Sequence, residues 1–344
     1  MSKRDSVLVL GIGGITCSFK STLAKNVARL VAAEHPDVQV EIVHQDVYYL
    51  PEDQVPPAPE LGHYNYECPE SMRIDDCRRD VQALIDRLAD GNKKAILIVE
   101  GIMLYCQQPL RDLFDQRYFL FGAYDECKRI RSTRTDYIPP DVDGYFDAYI
   151  WPYAVRYETE ARELAEGMSF TFLPMQAYEK NLASIMCGVR KWLTRDWIFL
   201  TKDQLDLHQI VQFVTEPSDG AVSVFCGVTR DTFDGKQVVH LEYEAYDAMA
   251  YSEMRKLCDS LRAKWKEVDR IAIHHRLGAV PVTESSVTIA ISAPHRKEAQ
   301  AACSFAIDEL KARVPIWKKE IYSDGSGTWK QNSECCSRQE HPKQ

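Results

Sequence analysis

The sequence of 344 residues lacks the features that mark several classes of protein. No CxxC pair occurs among its eleven cysteines, and their irregular spacing is unlike a disulfide framework or a zinc site. The first apolar run is too short for a membrane span and is broken by glycines, so we interpret it as a buried strand and not as a signal peptide. We therefore expect reduced thiols, no membrane association and a cytoplasmic location, with the nucleus also open.

A basic excess is missing as well. The formal net charge is -9, and acidic residues outnumber basic ones in both halves of the chain, which argues against a nucleic-acid-binding protein. The second half nevertheless concentrates cations between Lys311 and Lys319. This cluster indicates a local anion-binding site.

The first half of the chain is patterned as alternating strands and helices. Short β-rich apolar runs lie at 7–10, 40–43, 96–99, 118–121 and 170–173. Helical patterns lie at 20–33, 70–89, 125–133 and 177–193. This order predicts an α/β domain over residues 1–194, with a parallel sheet covered by helices on both faces.

The second half is patterned differently, with no Gly/Ser-rich linker before it. Strand patterns lie at 196–200, 222–225, 241–245 and 287–291, and helical patterns at 248–265 and 298–313. We predict an α+β domain over residues 195–332, whose antiparallel strands are open to water on one side. Residues 333–344 are polar, and we predict a disordered tail there.

A phosphate-binding loop is indicated where the first strand leads into the first helix. Gly14, Lys20 and Ser21 fit the pattern GxxxxGK[ST], but Phe19 replaces its second glycine. That glycine lets phosphate oxygens pack against backbone N–H groups, and a side chain there crowds them or forces an unfavourable φ. We predict an impaired loop, in which Lys20 still supplies charge and Ser21 still reaches Mg²⁺.

Further motifs follow the second and third predicted strands and the helix after them. They are His44-Gln-Asp46-Val-Tyr-Tyr, the run ending in Glu100-Gly101, and the segments 126–134 and 139–152. Together with the loop they resemble the nicotinamide riboside kinase family over roughly residues 5–193. The resemblance implies a P-loop nucleoside-kinase fold in which Asp46 is the catalytic base, Glu100 lies beside magnesium, and Tyr137 and Asp141 belong to the lid.

Two further departures from that family concern charges at the reacting phosphate and the ribose. Glu67 stands where the family has an aspartate, and Ile130 interrupts an arginine run. We therefore predict a degenerate kinase-like domain, whose vestigial site is formed by Gly14, Lys20, Ser21, Asp46 and Glu100. Two alternatives stay open: residual nucleoside kinase activity with ATP and Mg²⁺, or an interaction module within a larger complex.

Three motifs occur in order in the second half. They are FxGxxR ending at Arg230, SxxHR ending at Arg296, and KxxxPxWKxE from Lys311 to Glu320. Across about residues 196–332 they resemble the large catalytic subunit of molybdopterin synthase. The resemblance implies sulfur transfer, without a cofactor or metal, from the C-terminal thiocarboxylate of a ubiquitin-like small subunit into cyclic pyranopterin monophosphate. It also implies a dimer of large subunits within a heterotetramer.

Matched by position, Lys311 and Lys318 are the catalytic lysines. The substrate-binding positions are Arg230, His295, Arg296, Lys319 and Glu320. Arginine suits a phosphate because its planar fork donates two hydrogen bonds, and lysine suits proton transfer and charge compensation. By itself, Lys311 is interpreted as a solvated charge at a helix C-terminus. Only the occurrence of the three motifs together favours a functional role for it.

Four neighbouring residues are interpreted as structural. We expect His275 and Arg276 to serve packing and ion pairing. We expect Trp317 and Trp329 to belong to the core.

Overall fold

The computed structural model describes residues 6–91, 93–134, 139–233 and 235–330. The chain divides into two compact units, Met1–Val189 and Arg190–Gln344. This division lies a few residues before the domain boundary predicted at residue 194. Tyr137 and the predicted tail 333–344 lie outside the described residues.

The first unit alternates strands and helices as predicted. Its strands are β1 (Val7–Gly14), β2 (Gln39–His44), β3 (Pro57–Ala58), β4 (His63–Tyr64), β5 (Ala95–Gly101), β6 (Gln116–Phe121) and β7 (Thr171–Pro174). Its helices are α1 (Lys20–Glu34), α2 (Ile74–Ala89), α3 (Gln108–Arg111), α4 (Tyr124–Ser132), α5 (Trp151–Leu164) and α6 (Tyr178–Leu193). Helix α5, preceded by a π-helical turn, was not predicted from the sequence.

Five parallel strands form the sheet of the first unit, in the order β2-β5-β1-β6-β7. The central strand β1 is buried at all eight positions. The prediction of a parallel sheet covered on both faces is therefore confirmed. Because the carboxyl ends of parallel strands meet at one edge, the loop after β1, Asp46 after β2 and Glu100 near the end of β5 lie together there.

The second unit contains nine strands and three helices among its described residues. The strands are β8 (Asp196–Thr201), β9 (Ala221–Val228), β10 (Thr232–Phe233), β11 (Lys236–Ala245), β12 (Ile271–Arg276), β13 (Gly278–Pro281), β14 (Ser285–Ala293), β15 (Ile316–Tyr322) and β16 (Gly327–Lys330). The helices are α7 (Leu207–Val214), α8 (Asp247–Lys264) and α9 (Arg296–Arg313).

One sheet of the second unit has the order β8-β12-β14-β9, with β8 parallel to β12 and the other pairs antiparallel. Helices α8 and α9 pack on one face, and α7 packs against β9, β12 and β14. Strand β9 alternates between half-buried and exposed positions, as predicted. The prediction is wrong for β14, which is buried at its last eight positions because it lies inside the sheet with helices over both faces.

A second sheet of this unit has the order β10-β11-β15-β16, and β13 pairs with β11. Strand β15 is antiparallel to both of its neighbours, β11 and β16. It carries Lys318, Lys319 and Glu320 in its middle, so its alternation decides which face each of these side chains occupies.

Three observations concern the membrane spans, metal sites and disulfides considered from the sequence. Within the described ranges, no helix is long and apolar enough to cross a membrane. In that same part of the chain, no group of three or more His, Cys, Asp or Glu side chains could hold a metal ion. The nine cysteines that the structure describes are free thiols.

Gly14, the last residue of β1, provides a test of how closely β1 and β6 must approach. Its φ is +144°, and an added Cβ would lie 2.4 Å from the backbone oxygen of Leu120. We expect Gly14→Ala to lower the free energy of unfolding of the first unit by about 3 kcal/mol, from overpacking and backbone strain. Gly167→Ala is the matched control, because nothing lies within 4 Å of its added Cβ. Equal denaturant midpoints for the two variants would contradict this account.

Candidate functional site

The phosphate loop of the first unit keeps a backbone that favours glycine, although Phe19 occupies it. Phe19 has φ 65° and ψ 21°, in the left-handed region, and Cys17 also has a positive φ of 59°. A side chain in this region costs roughly 1–2 kcal/mol relative to the right-handed one. The ring of Phe19 is 44% exposed and meets the edge of Tyr178. The sequence-based expectation of an unfavourable φ at this position is therefore confirmed.

Behind the loop lie the buried Lys20 and Glu100, and the exposed Ser21 joins this group through its hydroxyl. The Nζ of Lys20 donates a hydrogen bond to the carbonyl of Ile15 at 2.7 Å, and burial lowers the pKa of this lysine. The Oγ of Ser21 donates to the Oε1 of Glu100 at 2.9 Å, and the Nδ1 of His44 lies 2.5 Å from the same oxygen. A hydroxyl and a carboxylate are oxygen ligands of the kind that Mg²⁺ prefers, so Ser21 and Glu100 would hold that ion.

A cavity of about 700 Å³ opens beside this group. Two carboxylates in its wall are perturbed by burial, which disfavours their charged forms. Burial raises the pKa of Asp46, against the opposing charge of Lys20. Burial also raises the pKa of Glu67 to about 7, against the opposing charge of Arg131. The cavity therefore combines a phosphate loop with two carboxyl groups whose pKa values are raised.

Arg131 on the lid side of the cavity is tethered by hydrogen bonds. Arg131 donates to both carboxylate oxygens of Asp141, at 2.6 and 2.7 Å, and to the hydroxyl of Thr16 at 3.0 Å. Ile130 lines the cavity beside it and packs against the core. An apolar side chain thus faces the cavity at the position where the sequence comparison expects a cation.

In the second unit, two of the predicted cations lie at the end of a strand or helix, and a third lies within a strand. Arg230 follows β9 and is exposed, with its guanidinium carbon 6.0 Å from the ring centroid of Phe233. Lys311 lies in the last turn of α9 and is exposed. Lys318 lies within β15, opposite Tyr243 of β11.

Strand β15 separates two of the predicted site residues onto opposite faces. Lys318 and Glu320 are two positions apart and share one face, where the Nζ of Lys318 lies 3.7 Å from the Oε1 of Glu320. Glu320 is only 2% exposed, and its Oε2 accepts a hydrogen bond from the hydroxyl of Tyr322 at 2.7 Å. Lys319 points to the other face, with its ammonium 5.7 Å from the ring of Trp329.

The two tryptophans beside the site are not in the core. Trp317 is 52% exposed and Trp329 is 51% exposed. The expectation that they are core residues is wrong, because both belong to the face of the β15 sheet on which Lys319 lies. His275 and Arg276 do behave as expected: His275 packs against the ring of Tyr243, and Arg276 forms an ion pair with Glu284.

Helix α9 places the remaining cations far from these groups. His295 and Arg296 are exposed at its start, and Lys311 lies sixteen residues beyond His295, or about 24 Å along the axis at ~1.5 Å per residue. The pairing of β14 with β9 also places His295 and Arg230 at opposite ends of the unit. Ala293 pairs with Ala221, whereas Ser285 pairs with Val228, so His295 and Arg230 follow opposite ends of one ladder.

Lys318 belongs to the Arg230 end of that ladder. Tyr243, its register partner, donates to the Oγ of Ser286 at 3.1 Å, and Ser286 donates to the carbonyl of Gly227, near the end of β9. Arg230, Lys311, Lys318 and Glu320 thus gather at one end of the unit, and His295 and Arg296 lie at the other. A single chain does not bring the two groups together.

One residue of the site was missed from the sequence. Tyr322 holds the buried carboxylate of Glu320, yet it lies outside the motif that ends at Glu320. The signal that could have found it is the alternation of Lys318, Glu320 and Tyr322 along a single strand.

Fold and site together define a two-domain protein: a P-loop kinase-like parallel sheet followed by an α+β unit with a cationic strand and helix end. The model of the family described as MoaE protein matches residues 200–313. Molybdopterin synthase catalytic subunit 1 of Aedes aegypti is 54% identical over 148 residues, which cover 42% of this chain and 96% of that protein. The chain belongs to the family of molybdopterin synthase catalytic subunits, which are enzymes of molybdopterin biosynthesis.

Two further similarities concern the same part of the chain. The catalytic subunit of Taeniopygia guttata is 53% identical over 141 residues, which cover 41% of this chain and 90% of that protein. The crystal structure of molybdopterin synthase from Staphylococcus aureus is similar to 40% of this chain and 98% of its own, with 35% identity and a TM-score of 0.38. These similarities cover only the second part of the chain. The first unit is a P-loop kinase-like fold because of its strand order β2-β5-β1-β6-β7 and the loop between β1 and α1.

Proposed function

We propose that the second unit transfers sulfur from the C-terminal thiocarboxylate of a ubiquitin-like small subunit into cyclic pyranopterin monophosphate, yielding molybdopterin. The observation that carries this proposal is the cationic end of the unit, where Lys318 is paired with the buried carboxylate of Glu320 and Arg230 and Lys311 lie at the same end. Membership of the synthase family supports it. Free thiols in the described residues fit a reducing compartment such as the cytoplasm.

The residue types suit each part of such a substrate. An exposed arginine binds a phosphate with two parallel hydrogen bonds, which is the proposed role of Arg230. Lysines compensate the charge that develops as sulfur enters and the cyclic phosphate opens, which is the role proposed for Lys311 and Lys318. The incoming tail of the small subunit ends in a thiocarboxylate, which is an anion like a terminal carboxylate, and a cationic cleft captures such a group. The proposed reaction uses no cofactor.

The separation along α9 supports a dimer of large subunits in which each site is built from two copies. A two-fold interface brings the same patch of each copy together, so a contact made by one end of α9 is made twice. We place His295 and Arg296 of one copy against Lys311 and Lys318 of the other. One small subunit at each end then gives a heterotetramer.

Reconstitution tests the proposed reaction. The full chain is incubated with thiocarboxylated small subunit and cyclic pyranopterin monophosphate, and dithiolene product is measured. We expect Lys311→Ala and Lys318→Ala to lower the rate by about 100-fold or more, as for loss of a catalytic charge or proton donor. Lys256→Ala is the control, because its exposed ion pair with Glu253 lies on α8 and contributes little. Absence of product with wild type, or full activity of Lys311→Ala, would contradict the proposal.

Mixed dimers test whether each site uses two copies. Lys311→Ala and Arg296→Ala chains are each inactive alone, but a mixed dimer has one site with both residues intact. Random mixing should therefore restore about a quarter of the wild-type activity, because half of the dimers are mixed. The measurement is product formation after co-refolding of the two variants. If mixing restores nothing, His295 and Arg296 do not act in trans.

We propose that the first unit is a former phosphotransferase with little or no activity. Phe19 places a side chain where backbone N–H groups would meet a phosphate, and it does so at a strained positive φ. Ile130 presents an apolar group to the cavity, at the position where the resemblance to the kinase family implies a cation. A kinase depends almost wholly on positioning and charge stabilisation, so these two changes together favour loss of turnover.

Restoring the glycine tests this proposal. We expect the wild-type chain to show no nucleoside-dependent ATP turnover with a panel of nucleosides that includes nicotinamide riboside. Phe19→Gly should bind MgATP more tightly by calorimetry, because the strain and crowding are removed, and adding Lys20→Ala should remove this gain. Wild-type turnover within the ordinary range of roughly 1–100 per second would overturn the proposal.

A further inference from the structure

One stripe of side chains on β15 links the catalytic lysine to the interior of the second unit. Lys318, Glu320 and Tyr322 alternate along the strand and share one face. The carboxylate of Glu320 contacts both neighbours with different oxygens: Oε2 accepts from the Tyr322 hydroxyl at 2.7 Å, and Oε1 lies 3.7 Å from the Lys318 ammonium. The three groups therefore form a chain from hydroxyl to carboxylate to ammonium.

The carboxylate of Glu320, between the hydroxyl and the ammonium, is deeply buried. Glu320 is 2% exposed, whereas the side chain of Lys318 is 35% exposed. A buried carboxylate stays charged only when hydrogen bonds and opposite charge replace its lost water. The distance of 3.7 Å between the Lys318 ammonium and the Glu320 carboxylate is too long for a hydrogen bond. The hydroxyl of Tyr322 therefore supplies the hydrogen bond that this ion pair lacks.

Tyr322 is itself held on several sides. It is 5% exposed, and the ammonium of Lys236 lies 5.0 Å from the centre of its ring. Its backbone N–H donates to the carbonyl of Ser326 at 2.9 Å. The neighbouring strand offers a contrast, since the hydroxyl of Tyr243 donates to Ser286 and so is committed elsewhere. Tyr322 is thus a fixed donor aimed at Glu320.

We propose that Tyr322 is a positioning residue for sulfur transfer: its hydroxyl fixes the carboxylate of Glu320, which in turn fixes the ammonium of Lys318. This inference rests on the proposed function of the second unit. Without the hydroxyl, the buried carboxylate loses the neutral donor bound to its Oε2 and shifts toward Lys318. This shift displaces the ammonium from the reacting atoms while leaving the surface that binds the phosphate in place.

The test is Tyr322→Phe in the full chain, assayed with thiocarboxylated small subunit and cyclic pyranopterin monophosphate. We expect kcat to fall about tenfold, as for loss of a hydrogen bond to a charged group, with KM for the pterin within about twofold of wild type. In a Glu320→Gln background the same change should lower kcat less than about twofold, because residues that act through one another are not additive. Tyr251→Phe is the matched control, since it removes a hydroxyl bound to the backbone N–H of Leu200, and it should leave kcat unchanged.

The possible results distinguish a failure of this inference from a failure of the proposed sulfur transfer. Product from wild type with unchanged kcat for Tyr322→Phe overturns the inference and leaves the proposed function standing. An equal fall in both backgrounds also overturns it, because it shows a role independent of Glu320. No product from wild type overturns the proposed function instead. If Tyr322→Phe fails to fold, Glu320→Gln carries the test: a fall in kcat supports the link from Glu320 to Lys318, and an unchanged kcat overturns it.

Discussion

Helix α9 sets the distance on which the interpretation of the second unit depends. A helix of this length is rigid on the scale of a substrate, so groups at its two ends stay about 24 Å apart whatever the loops do. The cations of the SxxHR motif begin the helix, and Lys311 nearly ends it. Within one chain they are therefore parts of two different surfaces. The proposed two-fold assembly turns this separation into two equivalent composite sites, which is why a dimer is part of the proposal.

The buried carboxylate of Glu320 connects the cationic surface to the packing beneath it. Strand β15 presents Lys318 and Glu320 to one face and Lys319 to the other, so adjacent lysines in the sequence have different surroundings. Lys318 is paired with a buried charge, whereas Lys319 lies near an exposed tryptophan ring. The pairing gives Lys318 a fixed counter-charge. This difference distinguishes the two lysines more clearly than the motif does.

The first unit keeps the backbone of a phosphate-binding loop although a side chain stands where the loop pattern has glycine. Its parallel sheet, its loop and its cavity are all present, and the loop retains a left-handed residue although the glycine that tolerates it is gone. The retained backbone follows from packing, since β1 is buried at every position and leads directly into α1. Local strain of this kind persists only where surrounding structure enforces it. The packing of β1 and α1 therefore holds the backbone of Phe19 in the left-handed region, although a side chain disfavours it there.

Periodicity and motif order in the sequence by themselves determined the division into an α/β and an α+β part, the elements predicted in each part, and the replacement of the loop glycine by Phe19. Such features are local, because each depends on neighbours a few residues away. Only the tertiary structure decided that β14 is covered on both faces, that Trp317 and Trp329 are exposed, and that Tyr322 holds Glu320. It also decided that the predicted cations form two groups. These outcomes depend on strand register and on which helix covers which face, and both are set by contacts between residues far apart in the chain.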